Sequence, residues 1–135
     1  MNAPVQVRPV RTARERRLFL TFPWRVYRDD PLWVPPILRD HRAMIDPRRG
    51  SFFKHGVADF FIAWRDGQPV GSIAAGEDTA VTATQPAGAR EGVWGFFECF
   101  DDYEVASALL ERAREWCRAR GLARMAGPFF LERED

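Results

Sequence analysis

Glu98 is the single carboxylate in the run GVWGFFECF at residues 92–100. Strand alternation puts it on one face with Trp94, Phe96 and Phe100, where loss of water would raise its proton affinity toward a range useful for accepting a proton. The same residue stands near the end of the run, where it could instead reach water or pair with an arginine. Just downstream, Asp101, Asp102 and Glu104 place three acids at what reads as a helix start. Carboxylates there accept hydrogen bonds from free amides and meet the positive end of the helix dipole, so capping is the chemistry such a cluster performs most readily.

Other reactive side chains are dispersed. His41 and His55 have no Ser, Cys or acid at a spacing that would make a triad or a metal site, and are expected in packing or at the surface. Cys99 and Cys117 fall in a strand and a helix, without further ligands, and are expected as free thiols with no metal. Arg8, Arg11, Arg14, Arg16 and Arg17 could hold a phosphate, but they surround a capping pattern and suit the solvated face of a helix. Phe22, Trp24, Tyr27 and Trp33 could line an acceptor pocket or fill a core.

These residues are positioned by a legible series of elements. Residues 4–11 alternate like a short strand, with prolines that favour a sheet edge. Thr12 and Glu15 form T-x-x-E, a reciprocal cap that starts a helix running to Phe22 or beyond, with Pro23 as a kink or stop. Pro31, Pro35, Pro36 and Pro47 punctuate a loop and one short helix near 36–45, in which Trp33, Ile37, Leu38 and Met44 call for burial. Asp66-Gly67 joins strands 59–66 and 68–76 as a hairpin, with Phe60, Ile62 and Trp64 on one face. After a polar loop, 93–100 is apolar on both faces and reads as a central strand. Asp101 and Glu104 then make D-x-x-E, and a helix over 102–120 follows. Its stripe is Ala106, Leu109, Leu110, Ala113, Trp116 and Cys117, and it stops at Gly121. A last strand falls within 122–131. The expected order is β-α-α-β-β-β-α-β: an α/β domain with a mixed sheet, and one domain across 1–135.

Composition supports a core and narrows the partners. With 46% hydrophobic residues, five Trp and eleven Phe, 135 residues can bury enough apolar surface to fold without disulfides or metal. The net charge of +1, from 20 basic and 19 acidic residues, provides no overall field for nucleic acid or anionic lipid, so neither is expected as a partner. The N-terminus lacks the apolar segment of a secretory signal, and no stretch approaches the roughly 20 apolar residues of a membrane span, so a cytoplasmic protein is expected.

The phrases YRDDPLWVPP, FFKHGVADFFIAWRDGQPVGSIAA, GFFECFDD and RGLARMAGP, in this element order, resemble a bacterial branch of the GNAT superfamily of acyl-CoA-dependent N-acetyltransferases. The resemblance spans about residues 5–128. It implies transfer of an acyl group from acetyl-CoA or another acyl-CoA to an amine acceptor, with Glu98, on the fourth strand, as general base. It also implies a pyrophosphate cradle at the following helix start, with the pattern Q/R-x-x-G-x-G/A. Asp101 and Glu104 occupy the first two signature positions as acids, and only Ala106 fits. Up to three negative charges stand where two phosphates would bind, so weak binding of acyl-CoA is expected, and a GNAT-shaped binding or assembly module without catalysis is the alternative.

Family members continue past the fifth strand with a helix, which often carries a Tyr general acid, and two more strands. This chain ends GPFFLERED. The expectation is therefore a truncated reading frame, an incomplete gene or one piece of a split protein, inactive when isolated. An open sheet edge would remain for a second chain or an oligomer to cover.

Overall fold

The computed structural model describes residues 3–129. Strand β1 (Gln6–Pro9) is followed by helix α1 (Ala13–Val26) and the short helix α2 (Leu38–Met44). The hairpin β2 (Gly56–Arg65) and β3 (Gln68–Asp78) comes next, then a single helical turn, α3 (Thr79–Thr82). Strand β4 (Glu91–Cys99), helix α4 (Tyr103–Ala119) and strand β5 (Arg124–Phe129) complete the series. The expected order holds, with α3 and two 3-10 turns added. The part of the last expected strand at residues 130 and 131 lies outside the described residues, and among the described residues β5 stands at an edge of the sheet, where the open edge was expected.

The five strands form one mixed sheet in the order β1-β2-β3-β4-β5. The first four pair antiparallel, and β5 joins β4 in parallel through the crossover of α4. β1 takes the edge, where Pro9 withholds no ladder bond from an inner strand. The Asp66-Gly67 turn has φ of 52° and 72°, the two positive values that a tight two-residue hairpin requires.

Each sheet face buries one layer of helices. On one side Phe61, Ala63, Ile73 and Ala75 pack against Val105, Leu109, Ala113, Trp116 and Cys117 of α4. Gly71 lets α4 settle onto β3, since a Cβ there would lie 2.6 Å from Leu109 Cδ1. On the other side Phe19 and Leu20 of α1 and Ile45 cover Ile62, Ala74 and Phe96. Phe60, Ile62 and Trp64 share this face, as alternation requires.

Several boundaries depart from the sequence reading. α1 runs through Pro23 to Val26, and its start carries both halves of the expected Thr12–Glu15 capping box. α2 begins at Leu38, with Ile37 as a cap residue whose side chain makes no capping bond and whose carbonyl accepts from the Asp40 and His41 amides. Ile37 itself is exposed rather than buried, because the loop before α2 keeps it off the sheet.

Candidate active site

β4 does not keep strict alternation. Ser72 of β3 pairs with Glu98, and Ala74 with Gly95, so two steps on β3 face three on β4. Phe96 carries the extra step with φ of 48°, which places a bulge in the middle of the strand. One consequence corrects the sequence reading. Phe96 lies on the α1 side of the sheet and Glu98 faces a cavity there, whereas Trp94 packs on the α4 side. The inserted residue reverses the parity of everything after it, so Glu98 shares its face with Phe96 but not with Trp94.

The cavity has a volume of about 210 Å³ and lies between the sheet and α1. Phe19, Leu20 and Pro23 of α1 form one wall, and Trp33, Val34 and Pro36 of the following loop another. His41 of α2, Ser72, Phe96 and Glu98 complete the lining. Glu98 is the one carboxylate among these groups, with apolar neighbours around most of it.

Glu98 accepts a hydrogen bond of 2.8 Å from the Tyr27 hydroxyl. Burial pushes the Glu98 carboxyl above the usual carboxylate range, and the Tyr27 bond opposes part of that rise. Tyr27 is pushed up to about 12, chiefly because its hydroxyl proton is held by Glu98 and also because it is partly buried. Its ring stacks on Trp33 with centroids 5.1 Å apart and an interplanar angle of 18°. Trp24 meets the same indole edge-on at 5.3 Å. The pair is thereby held by an aromatic assembly that spans the end of α1 and the loop after it.

Of the four aromatics considered together, only Phe22 is core, buried against Phe100. Trp33 lines the cavity and Tyr27 reaches into the acid chemistry. Tyr27 carried no reactive assignment in the sequence, because its partner is 71 residues away and only the α1–β4 packing joins them. His41 was expected in packing or at the surface, and it does pack edge-on to Phe96, at 5.4 Å, but it also lines the cavity with Glu98. His55 stays apart, its carbonyl accepting from the Thr79 amide and hydroxyl. Cys99 and Cys117 are free thiols, both raised by burial. No cluster able to hold a metal occurs among the described residues.

The acids at the start of α4 arrange themselves one residue later than the capping pattern suggested. Asp102, not Asp101, is the N-cap, and its carboxylate accepts from the amides of Glu104 at 3.0 Å and Val105 at 3.4 Å. Glu104 does not reach back to close a box. It pairs with Arg65 at 2.9 Å, and the same guanidinium pairs with Asp102 at 2.5 Å. Arg65 holds the Asp102 carboxyl below its usual range, mainly through that hydrogen bond. Two amides that a pyrophosphate would use are therefore occupied by a carboxylate, and the Arg65 guanidinium beside them is shared between two acids. The start of α4 does not fit a pyrophosphate as it stands.

Arg8, Arg14 and Arg17 line a groove with Arg25, Trp64 and Gln68 beside the edge strand. Arg16 and Arg17 also line a groove between α1 and α2. Arg11 lines neither, and its backbone amide donates to Glu15.

No family model matches the chain. Among curated proteins it is 35% identical over 130 residues to a bacterial ceramide synthase of Caulobacter vibrioides, covering 96% of this chain and 34% of that protein. It is 30% identical over 125 residues to Protein YghO of Escherichia coli K12, covering 93% of this chain and 31% of that protein. The chain thus spans about a third of the length of these curated relatives. A solved tandem GNAT protein from the clavulanic acid biosynthesis pathway superposes with a TM-score of 0.62 at 16% identity, over 87% of this chain and 34% of that one. The chain has the GNAT fold. The bulged strand that carries Glu98 and the helix start that follows it are the fourth strand and the fourth helix of this fold. The described residues include no helix long and apolar enough to cross a membrane.

Proposed function

We propose that this chain supplies the acceptor half of an N-acyltransferase site, in which Glu98 takes the proton from an amine. The observation that carries this is the Glu98 carboxyl, raised by burial, bonded to Tyr27 and facing an apolar cavity. A carboxylate with raised proton affinity is a better match to an ammonium than an exposed one, and the neutral amine it leaves behind is the nucleophile an acyl transfer requires. Tyr27 fixes the carboxylate's orientation, and Phe19, Leu20, Trp33 and Phe96 exclude water around it. Likeness to a bacterial ceramide synthase supports a long-chain amino alcohol as the acceptor, since the cavity walls are mostly apolar. An acyl-CoA is the donor that the fold supports, and its binding is assigned to no residue of this chain, because the start of α4 is already capped.

A second reading follows from that cap. Asp102 on the helix amides and Arg65 bridging Asp102 and Glu104 suit a GNAT-shaped binding or assembly module without catalysis. The experiment is amine-dependent release of free thiol from acetyl-CoA and palmitoyl-CoA, with sphinganine and short amines as acceptors. It uses the protein expressed from its full reading frame, beside its Glu98→Gln variant. Turnover with sphinganine that Glu98→Gln abolishes supports the acyltransferase. Ligand binding without turnover in either form supports the module.

A further inference from the structure

Leu32, Val34 and Ile37 are 86%, 83% and 63% exposed, all within the loop joining α1 to α2. Single apolar residues on a surface are ordinary, but three in one short loop form a feature that calls for an explanation. Pro31, Pro35 and Pro36 restrict this loop, and its residues Trp33, Val34 and Pro36 line the Glu98 cavity. The loop therefore presents apolar side chains outward from the rim of the cavity.

The same region is the basic part of the chain. Residues 11–49 hold ten arginines and five acids, a formal charge of +5, whereas the whole chain carries +1. The remainder is therefore acidic, and the near-neutral total conceals an uneven distribution of charge along the chain. A groove between α1 and α2 is lined by Arg16, Arg17, Arg42 and Arg49. Its one lining carboxylate, Asp46, is taken by Arg49 at 3.0 Å. Leu20 lines both this groove and the Glu98 cavity, so the two adjoin.

We propose that this face docks on the surface of an anionic lipid bilayer. Leu32, Val34 and Ile37 enter the boundary between headgroups and acyl chains, and the arginines of α1 and α2 meet lipid phosphates. Apolar insertion and guanidinium–phosphate pairing are each weak alone and hold a protein at a membrane surface together. Charge selects this occupant over a symmetric pairing of this face with its copy, which would bring like charge against like. The cavity rim then faces the lipid, from which an amine-bearing lipid can reach Glu98. That delivery rests on reading Glu98 as the base, whereas the docking does not.

The test is flotation of the protein, expressed from its full reading frame, with phosphatidylcholine vesicles that contain or lack phosphatidylglycerol, without substrate. Binding is expected only to the anionic vesicles and should weaken at high salt. Leu32→Ser with Ile37→Ser, both exposed positions whose folding is checked by circular dichroism, should lower partitioning at least about tenfold. Three results would overturn the proposal: no flotation, equal binding to neutral vesicles, or a change from oligomer to monomer in the double variant, which would assign the loop to self-association. A double variant that no longer floats but still acylates a short soluble amine separates docking from catalysis. If the protein floats as expected but Glu98→Gln keeps full turnover, only the reading of Glu98 fails.

Discussion

The Tyr27 hydroxyl donates a 2.8 Å hydrogen bond to the Glu98 carboxylate across 71 positions of sequence. This contact ties the end of α1 to the bulged strand and joins the two groups best placed for proton chemistry. Each changes the other's titration, so the pair can be tested without any substrate.

The chain contains two tyrosines, so Tyr103→Phe leaves Tyr27 as the only one. Its phenolate should then appear in the ultraviolet spectrum at about 12, and Glu98→Gln should move that titration down toward the ordinary 10. Because the folded value lies above the unfolded one, the stability this pair contributes is intact below about 10 and lost as pH rises toward about 12. Titration of Tyr27 at the ordinary value in Tyr103→Phe would show that the hydrogen bond does not form.

Glu98 should set the acid limb of acyl transfer. Its proton-accepting form is reached only above the usual carboxylate range, so the rate should climb with pH through that raised value. Glu98→Gln should lose about 10²–10⁴-fold in kcat and erase the limb. Tyr27→Phe removes the bond that opposes the rise, so the limb should move to higher pH. The folded carboxyl holds its proton more tightly than the unfolded one. Its contribution to stability is therefore greatest at acid pH and lost as pH rises through the folded value, and Glu98→Gln should melt no lower than the parent at neutral pH.

Trp116 is 9% exposed on the inner stripe of α4, and its indole N–H donates to Asp59 at 2.7 Å. Trp116→Ala removes both the packing and the bond and should cost roughly 3–5 kcal/mol, which is enough to unfold a marginal domain. Trp116→Phe keeps most of the volume and should cost about 1 kcal/mol more than its packing change alone, for the lost hydrogen bond. Chemical denaturation of the three proteins measures both steps.

At the start of α4, calorimetry with acetyl-CoA should show weak binding by the parent. Glu104→Gly should bind more tightly, because it removes a negative charge and releases one arm of Arg65 toward a phosphate. Micromolar binding by the parent that is unaffected by Glu104→Gly would show that this helix start does not repel the ligand.

Local chemistry carried most of the architecture. Thr12 with Glu15, the Asp66-Gly67 dipeptide and the α4 stripe each encode their element through contacts within a few residues; the first two appear where they were expected, and the stripe does so except that Val105, not Ala106, is its first buried residue. The cap of α4 is Asp102 rather than Asp101, and the same Asp102 pairs with Arg65, 37 residues away. No local pattern could report that partner.

By itself the sequence determined the GNAT order of strands and helices, the apolar strand that carries Glu98, and the acids at the start of α4. Tertiary structure alone decided what Glu98 faces. The Phe96 bulge reversed the strand's parity and moved Trp94 to the other side of the sheet. The α1–β4 packing then brought Tyr27, Trp33 and His41 around the carboxylate. The reason is physical: alternation and capping are short-range and repeat along the chain, whereas a bulge and a cavity exist only when distant segments press together.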